Sequence, residues 1–160
     1  MEKRIAVYAG TFDPVTNGHL DIIERSARMY DQVYVTIFTN PNKKTLLSLE
    51  ERLDLLRLST QHIDNVVVDA SDELAVAYAK KVGAKVLVRG LRATMDFEYE
   101  YQLALANQYL DGDIETVFLM TKPTYSYISS SSVKEMASHH HSVEGLVPEV
   151  VEEALKRKNK

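Results

Sequence analysis

Cysteine and tryptophan are missing from the 160 residues, and there are only 4 prolines and 6 glycines. Without cysteine there is no disulfide framework, no thiolate metal site and no thiol nucleophile. An excess of one charge is missing too. The 19 basic and 23 acidic residues leave a net charge near −4, so no global field draws the chain to nucleic acid or an anionic membrane. Any anion site has to be local. No apolar run approaches the ~20 residues of a membrane-spanning helix. The apolar stretch after Met1-Glu2-Lys3-Arg4 is too short for a signal-peptide core. The expectation is a cytoplasmic protein, one domain over residues 1–160. With 45% hydrophobic and 26% charged residues, it can build a core without staples.

Strand and helix signals alternate along the chain. Ile5 to Ala9 is a short apolar run closed by Gly10, a buried-strand pattern. From Gly18 to Tyr30, Leu20, Ile23, Ala27 and Tyr30 recur at helical spacing. Val33 to Phe38 is β-branched and aromatic, hence strand. Ser48 with Glu51 forms a capping box, and the helix it opens carries Leu49, Leu53 and Leu56 on one face. Val66 to Val68 and Val86 to Val88 read as strands around a Leu74–Val82 helix ended by Gly83, and Glu115 to Met120 as the last strand. Between Met95 and Leu110, Phe97, Tyr99 and Tyr101 alternate with acids as in an exposed strand. The following Leu103-Ala104-Leu105-Ala106 and the length favour a helix. The pattern predicts an α/β fold: a Rossmann-like, doubly wound, parallel five-stranded sheet with helices on both faces. In such sheets ligands bind beyond the carboxyl ends of the strands, at a switch point.

The residues at those ends suit phosphate. Gly10-Thr11-Phe12-Asp13-Pro14-Val15-Thr16-Asn17-Gly18-His19 follows the first strand and opens the first helix. Gly10 permits a tight turn, Thr16 or Asn17 can cap, and Gly18 exposes the first helical N–H groups, where an anion is favoured. His19 in that first turn can donate to a phosphate oxygen. Neither G-x-G-x-x-G nor G-x-x-x-x-G-K-[ST] occurs. Arg89-Gly90-Leu91-Arg92 ends another strand, and arginine binds phosphate bidentately. Asp96, Glu98 and Glu100 beyond it are solvated or pair with those arginines. Tyr125 to Ser132 follows the last strand, with Ser132 and Glu135 readable as a second capping box at a hydroxyl-rich helix start. Lys43 and Lys44 lie after the second strand. His139-His140-His141 resembles a metal triplet, but consecutive side chains diverge, so a solvated helix C-terminus is the better reading and no metal site is expected.

Together these segments resemble a known family. Thr16-Asn17-Gly18-His19 after Gly10-Thr11-Phe12-Asp13-Pro14 is similar to the (H/T)-x-G-H signature of the nucleotidylyltransferases. Arg89-Gly90-Leu91-Arg92 with Asp96 to Glu100, and Ile128-Ser129-Ser130-Ser131, resemble the phosphopantetheine adenylyltransferases, over essentially the whole chain. The resemblance implies attack by a phosphate oxygen of 4′-phosphopantetheine on the α-phosphorus of ATP, within coenzyme A synthesis. It implies that His19 stabilises the transition state and that Thr11 orients the nucleophile. It places Lys43, Arg89 and Ala75 on the acceptor. On ATP it places Thr11, Phe12, His19, Gly90, Leu91, Arg92, Glu100 and Tyr125, Ser126, Tyr127, Ile128, Ser129, Ser130 and Ser131. Mg2+ held mainly by ATP phosphates and a homohexamer are implied as well. Ala9, the Asp72-Glu73-Leu74-Ala75 stretch, Thr94-Met95 and Ser132 depart from the family's usual residues. The rival readings are a relative using cytidine triphosphate or a nicotinamide nucleotide acceptor, and a non-catalytic nucleotide sensor.

Overall fold

The computed structural model describes residues 1–92 and 94–160, and the side chains of the atypical Thr94-Met95 pair lie outside the described residues. Its strands are β1 (Ile5–Gly10), β2 (Gln32–Phe38), β3 (Val66–Ser71), β4 (Val86–Leu91) and β5 (Glu115–Met120). Its helices are α1 (Asn17–Met29), α2 (Leu49–Thr60), α3 (Ala75–Lys81), α4 (Thr94–Leu110), α5 (Ser130–Ser138) and α6 (Glu149–Lys158), with a 3-10 turn at Pro123–Tyr125. All strands are parallel and ordered β3-β2-β1-β4-β5. The order reverses between β1 and β4, which makes that pair the switch point of a doubly wound sheet.

Alternation along the strands separates two cores. Ala6 and Tyr8 of β1, Val33, Val35 and Ile37 of β2, and Val88 of β4 join Ile22, Ile23, Leu53, Leu56, Val133, Val151 and Leu155 from α1, α2, α5 and α6. Val7 and Leu87 face the other way, onto Val76, Tyr78 and Ala79 of α3 and onto Ile114. Period-two burial on both faces is what a parallel sheet wrapped by helices requires. Each fully buried isoleucine or leucine here contributes roughly 1.5–3 kcal/mol.

Local chemistry sets the helix starts. Ser48 caps α2, its hydroxyl accepting from Glu51 N–H at 3.1 Å while its own N–H donates to Glu51 Oε2 at 2.8 Å. The other predicted box is displaced. Ser129, not Ser132, is the cap of α5, and Ser132 occupies the reciprocating third position. Ile128 anchors in the core just before the cap, which fixes where the helix can begin. The buried face of α1 also differs from the expected one: Asp21, Ile22, Ile23 and Ser26 are buried. The helix is covered along more than one line, because Ile22 packs beneath Gly90 of β4 and Asp21 is drawn toward the loop after β5.

Candidate active site

The site begins where two strands part. β1 pairs with β2 as far as Gly10, but its pairing with β4 ends at Tyr8 and Val88. Beyond that point β1 and β4 diverge and a cleft of about 760 Å³ opens at their carboxyl ends. β4 itself runs on to Leu91, so Arg89, Gly90 and Leu91 belong to the strand rather than to the loop after it. The Arg89 guanidinium fills the gap left by the missing ladder bond, donating from Nη1 to the Ala9 carbonyl at 2.7 Å. Its Nε and Nη2 grip both oxygens of Glu100 at 2.7 Å. Burial opposes the charge on Arg89, and the bonds to Glu100 outweigh it. Close packing explains one glycine: a Cβ at Gly90 would stand 3.3 Å from Ile22 Cγ1, so a larger residue would push α1 away from the cleft floor.

On the other side of the parting, the β1–α1 loop presents His19. Thr16 caps α1, with its hydroxyl accepting from His19 N–H at 3.2 Å. The Thr16 N–H in turn donates to His19 Nδ1 at 3.0 Å, and the Thr16 hydroxyl lies 3.2 Å from the same nitrogen. Because Nδ1 accepts, the neutral ring carries its proton on Nε2, as a donor. Phe12, at φ 49, buries its ring edge-on to His19 with centroids 5.0 Å apart, and Tyr8 stands behind at 6.4 Å. Burial, then the charges of Arg92 and Arg89, hold the His19 pKa down at about 4. The site therefore contains a neutral imidazole with a single oriented N–H.

A third layer ties the loops together, and the sequence did not reveal it. Asp13 is buried; its Oδ1 accepts from Leu47 N–H and its Oδ2 from Leu46 N–H, both at 2.9 Å, and Lys134 Nζ of α5 lies 2.9 Å from Oδ2. Burial pushes the Asp13 carboxyl up, but the bonds from Lys134, Leu47 and Leu46 outweigh it and leave the pKa below the usual range. Arg52, buried on α2, donates to the Thr11 carbonyl at 3.1 Å. Ser130 Oγ donates to the Pro14 carbonyl at 2.8 Å. The only sequence signals were a charged residue inside a glycine-proline loop and cations on otherwise apolar helix faces, which usually mean solvent rather than a buried tie.

The cleft is lined by Thr11, Phe12, His19, Lys43, Ala75, Arg89, Gly90, Arg92, Glu100, Ile128 and Ser129 to Ser131. Lys43 Nζ reaches Thr11 Oγ1 at 3.0 Å, so the loops after β1 and β2 do converge. Arg92 is paired with Asp96 at 3.0 Å and donates to the Ile128 carbonyl at 3.2 Å, linking β4 to the start of α5. Leu91, Tyr125, Ser126 and Tyr127 lie outside the lining, although Tyr125 Cβ is 3.6 Å from the Cβ position of Gly18 and so borders the start of α1. His139 caps the C-terminus of α5 and, with His140 and His141, is exposed and outside the cleft lining. No group of three or more metal-ligating side chains gathers among the described residues. Of the four acids in the lining, Asp13, Asp96 and Glu100 are each committed to a cation within 3.0 Å, and Glu73, exposed at the rim, lies 3.8 Å from Lys81.

This arrangement offers donors converging on an anion, and the carboxylates of Asp13, Asp96 and Glu100 are held by cations. Residues 7–136 match the cytidylyltransferase-like family model. The phosphopantetheine adenylyltransferase of Carboxydothermus hydrogenoformans is 54% identical over 155 residues, 97% of this chain and 96% of that protein. That of Desulforudis audaxviator is also 54% identical, over 97% and 95% of the two chains, and that of Caldanaerobacter subterraneus subsp. tengcongensis is 50% identical over 98% of both. Among solved structures, a Vibrio parahaemolyticus protein provisionally assigned as a nicotinate-nucleotide adenylyltransferase superposes with a TM-score of 0.72 over 97% of this chain and 99% of that one. At 16% identity it speaks for the fold alone. Identity of this order over nearly the whole length makes the chain a member of the phosphopantetheine adenylyltransferase family.

Proposed function

We propose that the protein transfers the adenylyl group of ATP to 4′-phosphopantetheine, giving dephospho-coenzyme A and pyrophosphate. A phosphate oxygen of the acceptor bonds to the α-phosphorus of ATP while the bond from that phosphorus to the bridging β-phosphate oxygen breaks. The acceptor's second pKa is about 6, so it arrives ionised and needs no general base. Catalysis is then in-line positioning and stabilisation of charge on the transferred group. The observation that carries the reading is His19: a neutral imidazole, oriented by Thr16, with one donor in the cleft. A proton abstractor would need a basic imidazole; this one is built to donate.

In this reading His19 stabilises the α-phosphate and Thr11 orients the attacking phosphate. Lys43 and the two N–H donors of Arg89 left over from its five (three are used) hold the acceptor's phosphate. Ala75, at the start of α3, borders the pantetheine arm. Phe12, with its ring buried, can meet ATP only through its backbone. Gly90 to Arg92, Glu100 and Tyr125 to Ser131 surround the nucleotide, with the free N–H groups at the start of α5 facing its phosphates. Because Asp13, Asp96 and Glu100 are engaged by cations and Glu73 is alone among the lining acids in being loosely held, the donor set fits magnesium carried on the phosphates of ATP and not a protein cage. The exposed aromatic face of α4, with Tyr109 at 90% exposure, supports a homo-oligomer, and the family resemblance a hexamer. No described helix is long and apolar enough to cross a membrane, in keeping with a cytoplasmic enzyme acting as one unit over residues 1–160.

The test is a turnover assay with ATP and candidate acceptors. Dephospho-coenzyme A and equimolar pyrophosphate are expected from 4′-phosphopantetheine, and none from pantetheine. Equal turnover of a nicotinamide nucleotide, or no pyrophosphate with any acceptor, would defeat the assignment.

A further inference from the structure

The cleft contains an electrostatic contradiction. It is shaped for polyphosphate, yet Asp13 stands in its lining, two residues from Thr11. A carboxylate is nevertheless what the loops require. Leu46 and Leu47 offer two adjacent backbone N–H donors, one to each oxygen of Asp13. An asparagine would present its NH2 to one of them and lose that bond. The tether matters because Leu46 and Leu47 close the loop that carries Lys43 and Lys44.

We propose that Lys134 is a positioning residue of the adenylyl-transfer site: it cancels the charge of Asp13, which fastens the Lys43 loop to the Thr11 loop, and so keeps the cleft open to anions. Lys134 is well placed for this. It stands one turn into α5, its ammonium 2.9 Å from Asp13 Oδ2, with both side chains in the cleft lining and the carboxylate 4% exposed. The same device recurs at Arg89 with Glu100 and at Arg92 with Asp96. Lys134 differs from those arginines in coming from the helix whose first turn holds Ser130 and Ser131. Ser130 Oγ is bonded to the Pro14 carbonyl, next to Asp13. One carboxylate thus joins the acceptor side of the cleft to its nucleotide side. Lys134 acts through Asp13 and needs no contact with substrate.

The inference rests on the adenylyl-transfer reading, but its test does not require turnover. Binding of inorganic tripolyphosphate to the full chain is measured by calorimetry, with melting temperature followed for each variant. Lys134→Met leaves a buried, uncompensated carboxylate and is expected to weaken tripolyphosphate binding by about tenfold or more. Adding Asp13→Asn removes that charge, so the double variant should bind within about threefold of wild type, even though the lost Leu46 or Leu47 bond lowers its melting temperature. Lys134→Arg should bind like wild type. Should Lys134→Met fail to fold, Lys134→Gln, which keeps a donor but no charge, takes its place. A double variant as weak as Lys134→Met would show that Lys134 meets phosphate itself, and wild-type binding by Lys134→Met would show that the pair serves the fold only; either overturns the proposal. Wild-type protein that binds tripolyphosphate and obeys this cycle, yet forms no dephospho-coenzyme A, would sink the functional reading and leave the charge relationship standing.

Discussion

At the scale of single residues, the proposed chemistry rests on His19, and Thr16 orients His19. His19→Ala should fold normally and lose about 2.7–4 kcal/mol of transition-state stabilisation, the usual cost of removing one such donor. Turnover above a tenth of wild type at saturating substrates would remove His19 from that role. Thr16→Val deletes the hydroxyl that caps α1 and faces Nδ1, so a stability loss of about 1 kcal/mol is expected, with lower kcat at nearly unchanged KM. The sign of the pH effect follows from the pKa of about 4 against an ordinary 6.5. Between those values the unfolded chain takes up a proton that the folded chain refuses. The contribution of His19 to stability is therefore complete above pH 6.5 and is lost as pH falls through 4. In the free enzyme, nitrogen NMR should show His19 neutral with its proton on Nε2 at pH 6, and a ring half-protonated there would contradict the geometry. Arg89 calls for a different substitution from the obvious one. Arg89→Ala would strand the buried carboxylate of Glu100, a loss of about 3–5 kcal/mol unrelated to substrate. Lys43 is exposed and the only described bond of its ammonium is to Thr11. Lys43→Ala should accordingly raise KM for 4′-phosphopantetheine far more than KM for ATP, by initial rates against each substrate.

At the scale of elements, what could be read from the sequence was what local chemistry decides. Short apolar and β-branched runs placed all five strands, and β5 agrees to the residue at Glu115–Met120. Ser48 and Glu51 announced their own capping box because both partners are three residues apart. Strand ends were harder: β3 and β4 each run three residues past their apolar core, to Ser71 and Leu91. Ladder pairing with a neighbour, a non-local contact, carries them on. Four segments at strand ends were singled out as phosphate-facing, and the structure brings Thr11, His19, Lys43, Arg89, Arg92 and Ser129 to Ser131 into one cleft. The buried ties among those segments were invisible. Asp13 with Lys134 and Arg52 with the Thr11 carbonyl join residues 121 and 41 positions apart, and no periodicity encodes such a distance. The cap of α5 was misplaced by three residues because a run of four serines offers several equivalent starts, and only the burial of Ile128 chooses among them. Ser129→Ala tests that choice: it should cost about 1 kcal/mol of stability and raise KM for ATP, whereas Ser132→Ala should cost less on both measures.

At the scale of the whole molecule, the sheet and its two cores account for every helix but one in a simple way. α1, α2, α5 and α6 bury their apolar residues in the larger core, and α3 does so in the smaller. α4 is apolar around much of its circumference yet leaves Phe97, Tyr101, Leu105, Tyr109 and Leu110 exposed, with the Phe97 and Tyr101 rings stacked at 5.6 Å. A helix with aromatic residues on its open face is out of place on a lone monomer and fits contact between copies. The cleft does not depend on that face: Glu100 of α4 is buried, and Arg89 and His19 are held by bonds within one chain. Closed symmetry would bury the aromatic face once per protomer. Sedimentation velocity of wild type at micromolar concentration should show an assembly of several copies, six by family resemblance. The pair Leu105→Lys and Tyr109→Lys sets like charges on the face at neighbouring turns and should dissociate the assembly to smaller species. Neither residue lines the cleft, so the separated chains should still bind tripolyphosphate. A wild type that sediments as a monomer, or a double variant that sediments unchanged, would mean that the face of α4 does not hold the copies together.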